Sequence, residues 1–187
     1  TLAAGDYAIT VGLGGAGAPG YDYTYAGNGS DSSIGTVVVA TGGGRGGTTP
    51  EVGGTAGSGG SGGGGGYTSS LQSYGGTGIS GQGYAGGGNG NYRVSPYPSG
   101  GGGGASAAGG DATSDSVAGI GGSGILSDFL GYESTFAIGG NGSTFGSTDV
   151  QTDELDNTGN GGDAAGLSRL GGHGGSGIVI IRYVYPQ

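Results

Sequence analysis

A bundle of polyglycine II helices with short β-strands at the two termini, mostly irregular and β in content and without α-helix, is the fold class this sequence predicts. Three observations lead there. Gly supplies 58 of the 187 residues and gathers in tracts. Apolar segments of period two stand at either end of the chain. Gly interrupts every window long enough to hold an amphipathic helix. A single glycine-rich domain over residues 1–187 is expected, with the terminal segments clamping what lies between them.

The first strand is expected over about 6–11, where Asp6-Tyr-Ala-Ile-Thr-Val11 alternates, and another over 36–41, Thr36-Val-Val-Val-Ala-Thr41. Gly177-Ile-Val-Ile-Ile-Arg-Tyr-Val-Tyr185 carries the strongest signal, β-branched and aromatic and stopped by Pro186. The simplest arrangement pairs the first strand with the last and leaves both termini at one pole. Between the strands, glycine tracts at 54–66, 83–90, 100–110, 119–124, 159–166 and 171–177 alternate with inserts that hold most of the Tyr, Phe, Pro and acidic residues.

A fold so rich in Gly cannot rest on a hydrophobic core. Gly loses more backbone freedom on ordering than any other residue, and fixing each backbone unit costs roughly 1–2 kcal/mol. Collagen is excluded by five Pro and the lack of a G-X-Y register. Disorder fits the tracts singly but not twelve Tyr and the strand-like ends. Polyglycine II, extended with about three residues per turn and a rise of about 3.1 Å, has no internal hydrogen bonds and points its N–H and C=O groups sideways. Rods laid side by side can pair those groups, provided that Gly occupies the positions facing a neighbour. At about 1 kcal/mol net per bond, a dense bundle can roughly offset the ordering entropy. The inserts then become turns at the rod ends.

Charge narrows the partners. Four Arg and no Lys stand against thirteen acids, for a net charge of −9. Nucleic acid is not expected, since phosphate binding needs clustered cations and Arg45, Arg93, Arg169 and Arg182 are scattered. No apolar run reaches the length of a membrane span, so membrane insertion is not expected. The absence of Cys leaves the redox compartment open. A chain opening on Thr1 rather than Met is expected to be processed or to be the ordered end of a longer one.

The opening DYAITVGLGGAGA, the NGSDSSIGTVVVATGGGRGG segment, GQGYAGGGNG, GGGGGASAAGG, DNTGNGGDAAG and the terminal GGSGIVIIRY give the whole chain a resemblance to the glycine-rich C-terminal domain of phage tail-fibre adhesins, the receptor-recognition proteins. The resemblance implies a sandwich of polyglycine II rods whose end loops touch the bacterial surface. It implies a virion or extracellular location, an upstream tail-fibre segment as one partner and a bacterial surface protein or glycan as the other. It leaves a homotrimer open and implies no cofactor.

Receptor-binding candidates follow from the aromatic inserts. Tyr21, Tyr23 and Tyr25 alternate beside Asp22, which sets the rings on one side of an extended loop. Flat amphipathic rings suit stacking on sugars or packing on a protein loop. Tyr67 and Tyr74, and Tyr92 and Tyr97, flank similar inserts; Pro96 and Pro98 stiffen the second and lower the entropy cost of presenting it. Phe129 and Tyr132 complete the set, being costly to expose unless packed or bound. For all of these the competing reading is rings that seal the bundle.

The acidic stretch from Asp149 to Asp156 lacks EF-hand spacing and reads as a solvated loop rather than a metal site. Asp31, Asp111, Asp115 and Asp163 are expected to cap backbone N–H groups. Lone His173 gives neither a zinc site nor a triad. GLGGAG follows a strand but opens no helix that could bind phosphate. Asn28-Gly-Ser and Asn141-Gly-Ser are formal sequons, irrelevant if the protein belongs to a virus of bacteria. No residues read together as nucleophile, base and oxyanion stabiliser, so an enzyme is not expected. The leading expectation is a tail-fibre tip adhesin. A structural fibre subunit is the alternative, and an ice-binding protein a more distant one.

Overall fold

Backbone amides that cannot bond within an extended segment must find partners on neighbouring ones, and the chain is arranged around that need. The computed structural model describes residues 3–19, 26–48, 55–69, 71–148, 151–166 and 169–183. Glycine segments lie side by side as rods, and the bonds between them recur every third residue, the period of polyglycine II. Gly171, Gly174 and Gly177 donate to the carbonyls of Ala18, Gly15 and Gly12 at 3.0, 3.0 and 2.9 Å. Ser99, Gly102 and Ala105 donate to Ser143, Gly140 and Ala137 at 2.9, 2.8 and 2.9 Å.

Segment 99–105 is the centre of the lattice. Besides the row to 137–143, its amides reach two other neighbours: Gly100 and Gly103 donate to Gly65 and Gly62, and Gly101 and Gly104 to Gly110 and Ala107. Its carbonyls accept from two more, Gly119 and Gly122 on one side and Tyr84 and Gly87 on the other. Five neighbouring rods thus surround it. Gly is required because a Cβ on Gly100, Gly101, Gly103 or Gly104 would stand 2.1–2.2 Å from a carbonyl oxygen.

The same bonds give the direction of each rod, and the chain runs up and down between two poles. At the lower pole lie the bend at 59–61, the turns near 79–82 and 105–106, and both described ends, 3–11 and 178–183. The strands sit there too. β1 (Ile9–Thr10), β2 (Ser32–Ile34) and β3 (Val38–Ala40) form an antiparallel sheet in that order, with Ile9 opposite Ile34 and Ser33 opposite Val39. Gly35, at φ 51°, makes the tight turn between β2 and β3. β4 (Ile125–Ser127) and β5 (Ser134–Phe136) form a separate hairpin. The segments 67–69, 71–73, 90–98, 114–117 and 144–148 lie at the upper pole. No α-helix occurs among the described residues.

Two expectations about the strands need correction. The first strand pairs with β2, a segment that hydrophobic alternation does not mark, and not with the C-terminal run. Residues 177–183 form no strand, and Val184 and Tyr185 lie outside the described residues. The chain enters this run from rod 171–177, which is bonded to rod 12–18 by the three-residue ladder, and beyond Gly177 the described residues make no backbone bond to a strand. β-propensity records fit to a paired pleated surface, not an intrinsic backbone preference.

Side chains contribute little to the interior. Among the described residues Ala112 is the buried apolar side chain of the Ala, Val, Ile, Leu, Phe and Tyr set, and the largest fully buried side chains are Asn89, Thr68, Pro98 and Ser73. Neighbouring glycines therefore differ sharply in what they tolerate. A Cβ at Gly43 meets nothing within 4 Å, whereas one at Gly44 would stand 1.9 Å from the carbonyl oxygen of Gly57. Gly43→Ala is expected to stabilise the domain by roughly 0.4–1 kcal/mol through the unfolded chain. Gly44→Ala should destabilise it by about 3 kcal/mol or more. Thermal or urea unfolding of the pair checks this, and equal midpoints would refute the rod register.

Candidate functional site

At the upper pole the loops are tied to one another by polar groups. Asn89, 0% exposed, ends a glycine rod and reaches into the adjoining turns. Its Oδ1 accepts from the amides of Ser73 and Asn91, each at 3.1 Å, its Nδ2 donates to the Leu71 carbonyl at 3.4 Å, and its own carbonyl accepts from the Tyr92 amide at 3.1 Å. Segments 71–73 and 90–98 are thereby held by one buried amide. Ser73 closes the first loop by donating its hydroxyl to the Gly66 carbonyl. Ser99 and Ser143 clasp the next pair of segments: the Ser99 amide and hydroxyl donate to the Ser143 carbonyl at 2.9 and 3.0 Å, and the Ser143 amide donates to Ser99 Oγ at 2.8 Å.

This brings some of the candidate aromatics together. Tyr67 and Tyr97 each meet Phe145 edge to face, with ring centroids 5.2 and 5.9 Å from its own. The Phe145 amide donates to the carbonyls of Pro96 and Tyr97 at 2.7 and 3.1 Å, which ties the 144–147 turn to the Pro-rich loop. Tyr67 and Tyr97 are half-buried and serve both to seal the pole and to present a ring edge. Tyr92 is half-buried and donates its hydroxyl to the Thr113 carbonyl at 2.6 Å. Tyr74, at the start of the rod that follows the first loop, is exposed. Leu71 and Val94 also stand out from this pole, and Arg93 beside Val94 donates to the Asn91 side chain.

Phe129 and Tyr132 sit elsewhere. Both are exposed on the β4–β5 hairpin at the lower pole, with the Arg182 guanidinium 5.9 Å from the Phe129 ring centroid. Tyr21, Asp22, Tyr23 and Tyr25 lie outside the described residues.

On the other flank of the 144–147 turn is a polar pocket of about 470 Å³, lined by Ser116, Asn141, Ser143, Thr144, Ser147 and Asp163 among others. Hydroxyl, amide and carboxylate groups beside an aromatic cluster suit a ligand with many hydroxyls or the backbone of a protein loop. Sequence reasoning passes over Phe145, Thr144, Ser147 and Asn89. The GSTFGST insert carries the first three in plain view, but Asn89 looks like any small polar residue in a glycine tract.

Many polar groups serve the lattice, Asn141 and Asp163 of the pocket wall included. Asp31, Asp111, Asp115 and Asp163 accept from the backbone amides of Gly42, Gly88, Val94 and Asn141 at 2.9, 2.6, 3.3 and 2.6 Å. The two sequon asparagines do likewise for Arg45 and Gly121. His173 is held through its backbone, its amide on Asp153 Oδ1 and its carbonyl under the Glu154 amide. Residues 12–17 run as a rod, not as a turn into a helix. Among the described residues no three His, Cys, Asp or Glu groups lie close enough to hold a metal ion, and no helix is long and apolar enough to cross a membrane.

The sequence matches the family described as a glycine-rich domain over residues 1–184. No curated protein and no solved structure matches the chain. The upper pole therefore has to be tested on its own geometry, and Asn89 is the residue to test. Asn89→Ala leaves the Ser73 and Asn91 amides without their acceptor and should lower stability by roughly 1–3 kcal/mol from the buried Ser73 amide, the exposed Asn91 amide adding less. Loss of amide protection at Ser73 and Asn91, with the central glycines unchanged, is the expected exchange signature; an unchanged unfolding midpoint would refute the assignment.

Proposed function

Because the chain belongs to the glycine-rich domain family, with its stability carried by backbone bonds and its side chains set out on two poles, we propose that it is the receptor-binding tip of a phage tail fibre. The upper pole is the recognition face in this reading, and the receptor is a bacterial surface protein or glycan. The observation that carries the proposal is the separation of the poles. Both described ends of the chain leave from the lower one, while Tyr67, Tyr92, Tyr97 and Phe145 gather with the polar pocket at the other. A domain attached to a fibre by its lower pole presents the upper one to a cell.

The lower pole supports the second half of the reading. Val37, Val38, Val39, Ile125, Leu126 and Tyr132 are each at least 47% exposed there. Apolar exposure on that scale marks a surface made to be covered, and an upstream fibre segment is the partner that suits its position. The same surface also favours the second reading, a structural fibre subunit whose sister chains meet through this pole.

Binding of the fluorescently labelled domain to a panel of bacterial strains separates the two. Strain-selective binding is expected, reduced by about tenfold or more in Tyr74→Ala, Tyr92→Ala or Tyr97→Ala, as for aromatic hot spots. The Tyr21, Tyr23 and Tyr25 to Ala variants belong in the same panel. Tyr132→Ala at the opposite pole should bind as the parent does, and thermal midpoints check that each variant is folded. Binding to no strain, with self-association abolished by Tyr132→Ala, would overturn the adhesin reading in favour of the fibre subunit.

A further inference from the structure

The rods 12–18, 26–31, 41–48, 61–66, 99–105, 137–143, 159–166 and 171–177 are bonded each to the next, and the last to the first, so that they close a ring. A cavity of about 930 Å³ lies within it, lined largely by backbone. Three rows of main-chain groups on its wall have no partner among the described residues. The amides of Gly43 and Gly46 form one row, those of Ser61 and Gly64 a second, and the carbonyls of Gly100 and Gly103 the third. Every row has the same three-residue spacing, about 9.3 Å at the rise of polyglycine II.

The surroundings show that these rows are aimed and not merely unpaired. Rod 61–66 uses Gly62 and Gly65 toward Tyr84 and Gly87, and Gly63 toward Gly57, which leaves the Ser61 and Gly64 amides for the cavity side. In rod 41–48 the intervening amides of Gly44 and Gly47 donate to Ser61 and Gly64. Space is there as well. A Cβ at Gly43 or Gly46 meets nothing within 4 Å, and one at Gly102 has its nearest neighbour at 3.4 Å.

We propose that this cavity takes up, from one of its polar ends, an extended glycine-rich tract of another polypeptide as one more polyglycine II rod. Such a rod projects three rows of carbonyls and three of amides. Two of its carbonyl rows would accept from Gly43 and Gly46 and from Ser61 and Gly64, and one amide row would donate to Gly100 and Gly103. This is strand addition carried out in polyglycine II geometry, with affinity from main-chain bonds. Selectivity for Gly follows from the lattice rule already visible in the host, where a Cβ facing a neighbouring rod meets its carbonyl oxygen at 1.9–2.1 Å at Gly44, Gly100, Gly101 and Gly103.

The test is amide exchange by NMR on the intact domain, with a synthetic peptide Ser-Gly-Gly-Gly-Gly-Gly-Ala as probe and an otherwise identical peptide with Ala for each Gly as control. In the free domain the Gly43, Gly46, Ser61 and Gly64 amides should exchange faster than those of Gly44 and Gly47. Millimolar glycine peptide should slow the four by about tenfold, as for a site nine-tenths occupied, and the control should not. Gly43→Val, whose Cβ meets nothing within 4 Å in the host, should abolish the effect at an unfolding midpoint no lower than the parent's. Three results would overturn the proposal: four amides already as protected as Gly44, no response to the peptide, or an equal response to the Ala control. Protection that rises with protein concentration alone would replace the occupant with a second copy of this chain and overturn it too.

Discussion

The hydrogen bond between an amide of one extended segment and a carbonyl of the next, repeated every third residue, is the constraint on which the rest of this structure depends. It determines where most Gly must stand, because the Cβ direction at many rod positions meets the neighbouring backbone; at Gly14, Gly62 and Gly121 the added atom would lie 1.8–1.9 Å from a carbonyl oxygen. It also removes the need for an apolar core. Burial goes to backbone, and Leu13, Ile120 and Leu155 stand largely exposed without exposing an interior. The usual relation between hydrophobicity and burial is turned outward here for a physical reason: the groups most costly to leave unpaired are peptide groups.

A lattice of this kind has edges, and its polar side chains close them. Where no neighbouring rod supplies a carbonyl, an Asn or Asp side chain does so. Asn160 Oδ1 and Asp163 Oδ1 accept from Ile138 and Asn141, three residues apart, while the amides of Gly161 and Ala164 return bonds to the carbonyls of the same two residues. Asn28 and Asp31 repeat the device on Arg45 and Gly42. Asp31, Asp111 and Asp163 are thereby accounted for as edge chemistry.

How much of this was legible in the sequence depends on which level carried the information. Composition marks the rods, since only a backbone lattice makes use of so much Gly, and the capping roles of Asp31, Asp111, Asp115 and Asp163 follow from their small neighbours. Direction and number do not show. The tract 54–66 looks continuous, yet it folds back at 59–61 so that Gly63 donates to Gly57 within the same run of Gly. The strand expected at 177–185 fails over its described part for the complementary reason: local propensity was strong, but a strand needs an edge, and edges are a tertiary property. At the upper pole the aromatic inserts are visible in the sequence, whereas their grouping around Phe145 depends on which rods end side by side. Asn89 is the hardest to see, because its importance lies in total burial and not in its type.

The separation between lattice and poles has a consequence for how such a domain can vary. Each rod end is fixed by bonds made several residues inside the lattice, such as those of Gly87 and Gly101 beneath the 90–98 loop. A loop substitution that respects the end positions of its two rods leaves those bonds in place. Stability and surface chemistry are then coupled only through the few residues that reach from loop to rod, Asn89, Ser73, Ser99 and Ser143 among them. Outside that set the loops are constrained by length and by backbone conformation, as at Asn91 and Tyr97 with φ of 66° and 47°. A scaffold stabilised by side-chain packing has no comparable freedom, since its surface residues are the backs of its core residues; here the core has almost no side chains to share.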